Sequence, residues 1–402
     1  MRYLTCLPAA AALTAALAPA PALGQDIRVL TLDPSRSVVC STLDFDLGQG
    51  NAFSELRSWL ADPARFGPGG VVPRGTAYAP QALLLDPPTL ETADVVLLTT
   101  MSRPLLRCEV DELLEFVRQG GGVFAFSNTA TLDFNDATGA VSGGVGASVS
   151  ATIVDPASAV AAGPFGTVTG SIGNLAFHRV LSDVGPNGNA ILATSDTAMA
   201  EYTFGAGRLV VFGDEEWAMN GVVNGCAAGQ QPEAARRTLW LNAFASVVPP
   251  VGFRYVPNPS SLGTRYCTPA NLNSRGLPAT ICAFGSDVAA DNDVTVAVDW
   301  IAPNAFGYFL VSAVQDFVAF PGGSQGNICL GNPVGRFIGP NEIQNSGAGG
   351  FFTLQLDLTS IPQPNGFISI QSGETWNFQA WYRDANPGAT SNFTDALAVT
   401  FQ

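Results

Sequence analysis

The hydrophobic period of this chain changes once, and it changes at a proline-rich break. From Val248-Pro249-Pro250 to Ser261-Leu262-Gly263, proline, serine and glycine crowd a stretch with no sustained periodicity, the pattern of a linker. Before the break, short apolar runs alternate with helical spacings; after it almost no helical spacing remains. Such a chain is not one long helical bundle. The expected fold is an α/β open parallel sheet over residues 25–247, a linker over 248–264 and an all-β sandwich over 265–402.

In the first half, Ile27 to Leu32 and Asp94 to Thr100 are short, apolar and not strictly alternating, as buried parallel strands are. Val110, Leu113, Leu114 and Val117 then fall at i, i+3, i+4 and i+7, with Glu109, Asp111 and Glu112 in the first turn and Gly120 as a stop. A strand over Val123 to Phe126 follows at once. Ala200 to Phe204 and Arg208 to Phe212 flank Gly205-Ala206-Gly207 as a hairpin, and Ala235, Leu239 and Ala243 mark a last helix. In the second half, segments such as Val294 to Val298, Phe352 to Leu358, Thr375 to Tyr382 and Ala396 to Phe401 alternate or are rich in aromatics between Gly, Pro and Asn turns.

Residues 1–24 read as a secretory signal peptide. Arg2 precedes an Ala-rich apolar stretch from Leu4 to Leu17, and Ala22 and Gly24 put small residues at the −3 and −1 positions of a cut before Gln25. Pro8, Pro19 and Pro21 interrupt a stretch already marginal for a membrane anchor. No later window is long and apolar enough to span a bilayer, so a secreted, periplasmic or cell-surface protein is expected. Removing the leader takes Cys6 and leaves Cys40, Cys108, Cys226, Cys267, Cys282 and Cys329. An even count in an exported chain favours disulfides, and the break splits the six as three and three. Either each half keeps an odd thiol or the two odd ones meet. The preferred pair is Cys267 with Cys329, closing about 62 residues for roughly 4 kcal/mol in the chain-entropy model.

Charge and residue inventory exclude whole classes of function. All 18 cationic residues are arginine, so neither a Schiff-base lysine nor a phosphate-loop lysine exists. A net charge of −15 repels nucleic acid. With one histidine and no Cys-x-x-Cys spacing, a zinc site is not indicated. Asp133, Asn135 and Asp136, like Asp287, Asp291, Asn292 and Asp293, offer oxygen ligands but lack the glycine and spacing of a calcium loop. No metal and no cofactor are expected.

Three stretches carry a resemblance in the first half: Ala93 to Leu98, Leu113 to Val123 and Gly207 to Asp214. They resemble the glutamine-amidotransferase-like branch of the flavodoxin-like folds over roughly residues 26–247. Active members of that family carry a cysteine in a Gly-x-Cys-x-Gly elbow; here the strand ending at Phe126 leads into Ser127-Asn128-Thr129, and no such elbow occurs. The resemblance therefore implies a degenerate domain without the family's nucleophile. Tyr266-Cys267-Thr268-Pro269, Gly326 to Gly331 and Trp376 to Asp384 are similar to an uncharacterised C-terminal module of secreted bacterial proteins, which implies an exported setting and no named activity.

Two residue sets are candidate sites. Ser127 follows a central strand and Asp214 a second one, and with His178 they would form a Ser, His, acid set, since a hydroxyl needs a nearby base to attack at neutral pH. No Gly-x-Ser-x-Gly elbow surrounds Ser127. Asp214, Glu215 and Glu216 are adjacent, so they diverge instead of facing one glycosidic bond. In the strand Thr375 to Arg383, alternation separates Trp376, Phe378, Ala380 and Tyr382 from Asn377, Gln379, Trp381 and Arg383, and the second face would suit stacking on a sugar ring. The sequence thus reads as an exported, non-enzymatic binding or surface-associated protein whose ligand and partner it leaves open, a polysaccharide or cell-surface component being the candidate it offers. The alternatives are a serine hydrolase and a carbohydrate-binding protein acting through its β module.

Overall fold

The computed structural model describes residues 25–40, 43–102, 105–126, 134–146, 149–175, 178–215, 219, 234–256, 262–347, 349–385 and 387–402. The leader, Ser127, Asp133, Glu216 and Cys226 lie outside them. No helix among the described residues is long and apolar enough to cross a membrane.

The N-terminal part is a mixed α/β layer structure around one sheet of eleven strands. In chain order these are β1 (Ile27–Leu30), β2 (Thr76–Tyr78), β3 (Val95–Leu98), β4 (Gly122–Phe126), β5 (Val141–Gly146), β6 (Val149–Ile153), β7 (Ser171–Leu175), β8 (His178–Asp183), β9 (Gly188–Ala193), β10 (Thr197–Phe204) and β11 (Gly207–Phe212). The spatial order is β7-β6-β9-β10-β11-β4-β3-β1-β2, with β8 pairing β10 and β5. Five strands, β2-β1-β3-β4-β11, run parallel, as the apolar runs require. The rest is antiparallel, which corrects the expectation of an open parallel sheet. The reason is local: tight turns such as Gly205-Ala206, with Gly205 at φ 57°, return the chain beside itself, and a short hairpin permits only antiparallel pairing.

Helices cover both faces. α1 (Ser54–Ala61) and α4 (Ala234–Val247) bury Leu56, Trp59, Leu239, Trp240 and Phe244 against Val29, Leu97, Phe124 and Phe212. α3 (Arg107–Arg118) buries Leu113, Phe116 and Val117 against Leu30, Val96, Val123 and Leu209 on the opposite face. The first-turn acid Glu109 reaches back to the Leu106 N–H at 2.8 Å, meeting one of the amides that helix geometry leaves unbonded. A short helix, α2 (Pro87–Leu90), is capped by Asp86, whose side chain accepts from Thr89 N at 3.2 Å.

The proline-rich break is docked onto α3. Phe253 and Tyr255 set their rings edge-on to Phe116 at 5.5 and 5.6 Å, and Val256 exchanges two hydrogen bonds with the Gln119 amide.

The C-terminal part consists of several β sheets. β12 (Thr264–Tyr266), β13 (Thr280–Gly285), β14 (Val294–Asp299), β15 (Phe306–Ser312), β16 (Gln315–Ala319), β17 (Asn327–Leu330), β18 (Gly335–Arg336), β19 (Phe352–Leu356), β20 (Thr375–Ala385) and β21 (Ala389–Thr400) are its main strands. One sheet has the order β12-β21-β20-β15-β18 and another β13-β14-β19. Ile281, Val296 and Val298 of the second share an apolar core with Phe309, Phe378 and Leu397 of the first. β16 and β17 form a separate hairpin lying against β20 and β21.

Candidate functional site

The two parts meet along α3. Cys108 in its first turn is bonded to Cys282 of β13, a link across 174 residues that joins one cysteine from each side of the break. Cys267 is bonded to Cys329 within the C-terminal part. Beside the first cystine, Leu84, Leu106, Leu277 and Trp300 form a small apolar cluster from both parts. Arg36, fully buried, pairs with Glu109, and its guanidinium carbon sits 5.2 Å from the centre of the Trp300 ring. Glu109 also accepts from the Leu85 N–H at 2.9 Å, so this buried charge pair is held by backbone as well. Further along the boundary, Arg265 reaches Asp86 at 3.3 Å and the Thr280 hydroxyl at 3.2 Å. Thr280 in turn donates to Asp395 at 3.2 Å, and the Ile281 N–H donates to the same carboxylate at 2.8 Å. Burial pushes the Asp395 carboxyl up to about 6 even though Arg265 pulls it down.

These contacts leave a cleft of about 780 Å³ between the two parts. One wall is a stripe of α3, Cys108, Asp111, Glu112, Glu115 and Arg118, positions three or four apart and so on one helix side. The facing wall is β12 and β13 with Thr264, Arg265, Cys282 and Phe284. Glu112 is buried and accepts from the Tyr255 hydroxyl; Asp111 is exposed. None of these residues was a sequence candidate. The signal that could have found the cleft was the odd cysteine count on each side of the break together with the second, charged stripe of α3.

Of the predicted hydrolase set, Ser127 falls outside the described residues. His178 and Asp214 are both buried and stand on adjoining segments: the Arg179 N–H donates to Gly213 O at 2.9 Å. Phe126, which ends β4, is in register with Phe212, which ends β11, so the strands leading to residues 127 and 214 finish side by side. At the same end of the sheet, between β1 and β3, the chain order switches direction, the usual place for a ligand crevice in open α/β sheets. Here the segments leaving β1 and β3 are tied together by a bridge between Ser37 and Met101 and by a 2.8 Å bond from Ser102 N to Arg36 O. Just past the ends of β1 and β3, the hydroxyls of Thr31 and Thr99 are buried with no hydrogen-bond partner among the described residues.

On β20, Gln379 is fully buried and its amide is committed: it accepts from Cys329 N at 2.9 Å and donates to the carbonyls of Asn327 and Thr394 at 3.0 and 2.7 Å. Trp381 is half-buried, tilted against Tyr308 at 5.1 Å, beside Leu310 and Phe393. Arg383 is exposed. The three residues therefore do not form one open face, because the hairpin of β16 and β17 lies over this side of the sheet.

No family profile and no curated protein matches the chain. Among solved structures, it is similar to a cytoplasmic protein, STM3548, from Salmonella typhimurium at 12% identity, over 56% of this chain and 100% of that one, with a TM-score of 0.36. A GMP synthase component from Thermoplasma acidophilum aligns at 8% identity over 55% of this chain and 94% of that one, TM-score 0.32. A β-galactosidase from Bacillus circulans sp. alkalophilus aligns at 9% identity over 82% of this chain and 41% of that one, TM-score 0.33. At these scores the matches carry no argument about the fold or the activity of this chain.

Proposed function

We propose that the chain is an exported, non-enzymatic binding protein whose amidotransferase-like α/β domain and β-sandwich act as one covalently joined unit and take their ligand in the cleft between them. The observation that carries this reading is the cleft itself. Its volume of about 780 Å³ falls in the range of small-molecule sites, and such sites favour domain boundaries. The leader pattern and the two cystines support export. Soaking crystals of the mature protein with a set of small polar and aromatic fragments tests it. Fragments are expected to collect between α3 and β13; occupancy only on the Trp381 face or on loops, with an empty cleft, would sink the proposal.

A second reading keeps the sheet end as a hydrolase centre, favoured by the bond that brings the segments of His178 and Asp214 together. It requires turnover of an activated ester that Ser127→Ala abolishes. Equal turnover by both proteins removes it.

A further inference from the structure

We infer that the cystine joining Cys108 to Cys282 is a thiol-exchange site: a dithiol entering the cleft reduces it, and reduction lets the two parts of the chain move against each other. This does not depend on the cleft taking any other ligand.

The residue periods put both sulfurs on the open side of their elements. On α3 the buried face is set by Leu113, Phe116 and Val117, whereas Cys108 belongs to the stripe with Asp111, Glu112 and Glu115 that lines the cleft. On β13, Ile281 and Ala283 point into the C-terminal core, so alternation turns Cys282 and Phe284 the other way, and both line the cleft. Each of the two cysteines is half-buried. The other cystine is enclosed. Cys329 is 1% exposed, its N–H donates to the Gln379 amide oxygen at 2.9 Å, and its carbonyl accepts from the Tyr266 hydroxyl at 3.0 Å. Exchange requires a thiolate to reach a sulfur, so an accessible cystine is labile where an enclosed one resists.

The accessible cystine is also the bond that holds the parts together. From Val248 onward the sequence has three cysteines, Cys267, Cys282 and Cys329, and the first and last are bonded to each other. Only Cys282 is left to link the C-terminal part covalently to anything before the break. The other contacts across the boundary are weaker ones: the Leu84, Leu106, Leu277 and Trp300 cluster, Arg36 set against the Trp300 ring, and the Arg265 to Asp86 pair. Reduction leaves these in place but no longer pins β13 to the first turn of α3.

The exchange balances with a dithiol as the reductant. One of its thiolates attacks a sulfur of the pair, the S–S bond breaks, the departing thiolate takes a proton, and a mixed disulfide remains. The second thiol of the same molecule attacks that mixed disulfide, frees the other cysteine and leaves as a cyclic disulfide. Two electrons pass from the dithiol to the cystine.

The closing experiment exposes the mature, undenatured protein to dithiothreitol, quenches samples at intervals in acidic N-ethylmaleimide and assigns each label by peptide mapping. Cys108 and Cys282 are expected to be labelled at least about tenfold faster than Cys267 and Cys329. Amide hydrogen exchange in the first turn of α3 and in β13 should then rise at least about threefold, while β20 and β21 keep the protection of the oxidised protein. Equal reduction of the two cystines, or reduction of Cys267 and Cys329 first, would overturn the inference. So would a bond between Cys108 and Cys282 that yields only in denaturant. Rapid reduction with unchanged exchange at the boundary would overturn its role in holding the parts together.

Discussion

Replacing Cys108 and Cys282 together by serine should uncouple the two parts of the molecule while leaving each folded. The bond closes a loop of 174 residues. In the chain-entropy model its removal returns about 5 kcal/mol of freedom to the unfolded chain at 25 °C. What remains at the boundary is local: the Leu106, Leu277 and Trp300 cluster, at about 1.5 to 3 kcal/mol for each fully buried side chain, the Arg36 to Glu109 pair and the half-exposed Arg265 to Asp86 pair. That is enough to keep the parts in contact and too little to force them to unfold together. Guanidinium denaturation followed by tryptophan fluorescence reads both sides, because Trp59 and Trp240 lie in the N-terminal core and Trp376 in the C-terminal one. The parent should show one transition. The double variant should show two, with the first at a lower midpoint and an overall loss of about 2 to 5 kcal/mol, within the usual span for native disulfides. Peptide mapping without reductant should recover Cys108 and Cys282 as one linked species from the parent. A double variant that unfolds in one transition within about 1 kcal/mol of the parent would show that the cystine does not couple the two parts.

Asp395 gives a pH dependence with a definite sign. Its carboxyl, near 3.8 when unfolded and about 6 in the fold, binds its proton more tightly in the native state, so its contribution to stability is fully present below about pH 4 and is lost as pH rises through 6. The full span is about 3 kcal/mol, and Asp395→Asn should flatten the stability profile between pH 4 and 7, as urea titrations at several pH values would read. Arg36→Leu should cost about 3 to 5 kcal/mol by leaving Glu109 buried without its cation, and adding Glu109→Leu should recover part of that loss; a single change costing under about 1 kcal/mol by denaturant midpoint would contradict the buried pairing. Trp381→Ala should leave retention on polysaccharide columns unchanged, because the Gln379 amide expected to assist it is spent inside the protein. Loss of retention with the fold intact would restore the β module as a carbohydrate site.

Elements whose burial is written in their own period were legible in the sequence. Val110, Leu113, Leu114 and Val117 set the face of α3, and the apolar runs Asp94 to Thr100 and Val123 to Phe126 placed β3 and β4 to within two residues at either end, because each segment records which of its sides avoids water. The turn at Gly205-Ala206 was equally local. The change of period near residue 248 separated a helix-bearing part from one made of β sheets. Periodicity does not record what a buried face packs against. That is why the antiparallel half of the large sheet, the docking of Phe253 and Tyr255 on α3, and the burial of Gln379 under the β16 and β17 hairpin were decided only by tertiary structure. The cysteine count required that the odd thiols of the two halves either meet or stay free. Which two meet, and the acidic cleft they close, depends on a contact between residues 174 positions apart, where the sequence holds no distance information and only the packed chain brings Cys108 to Cys282.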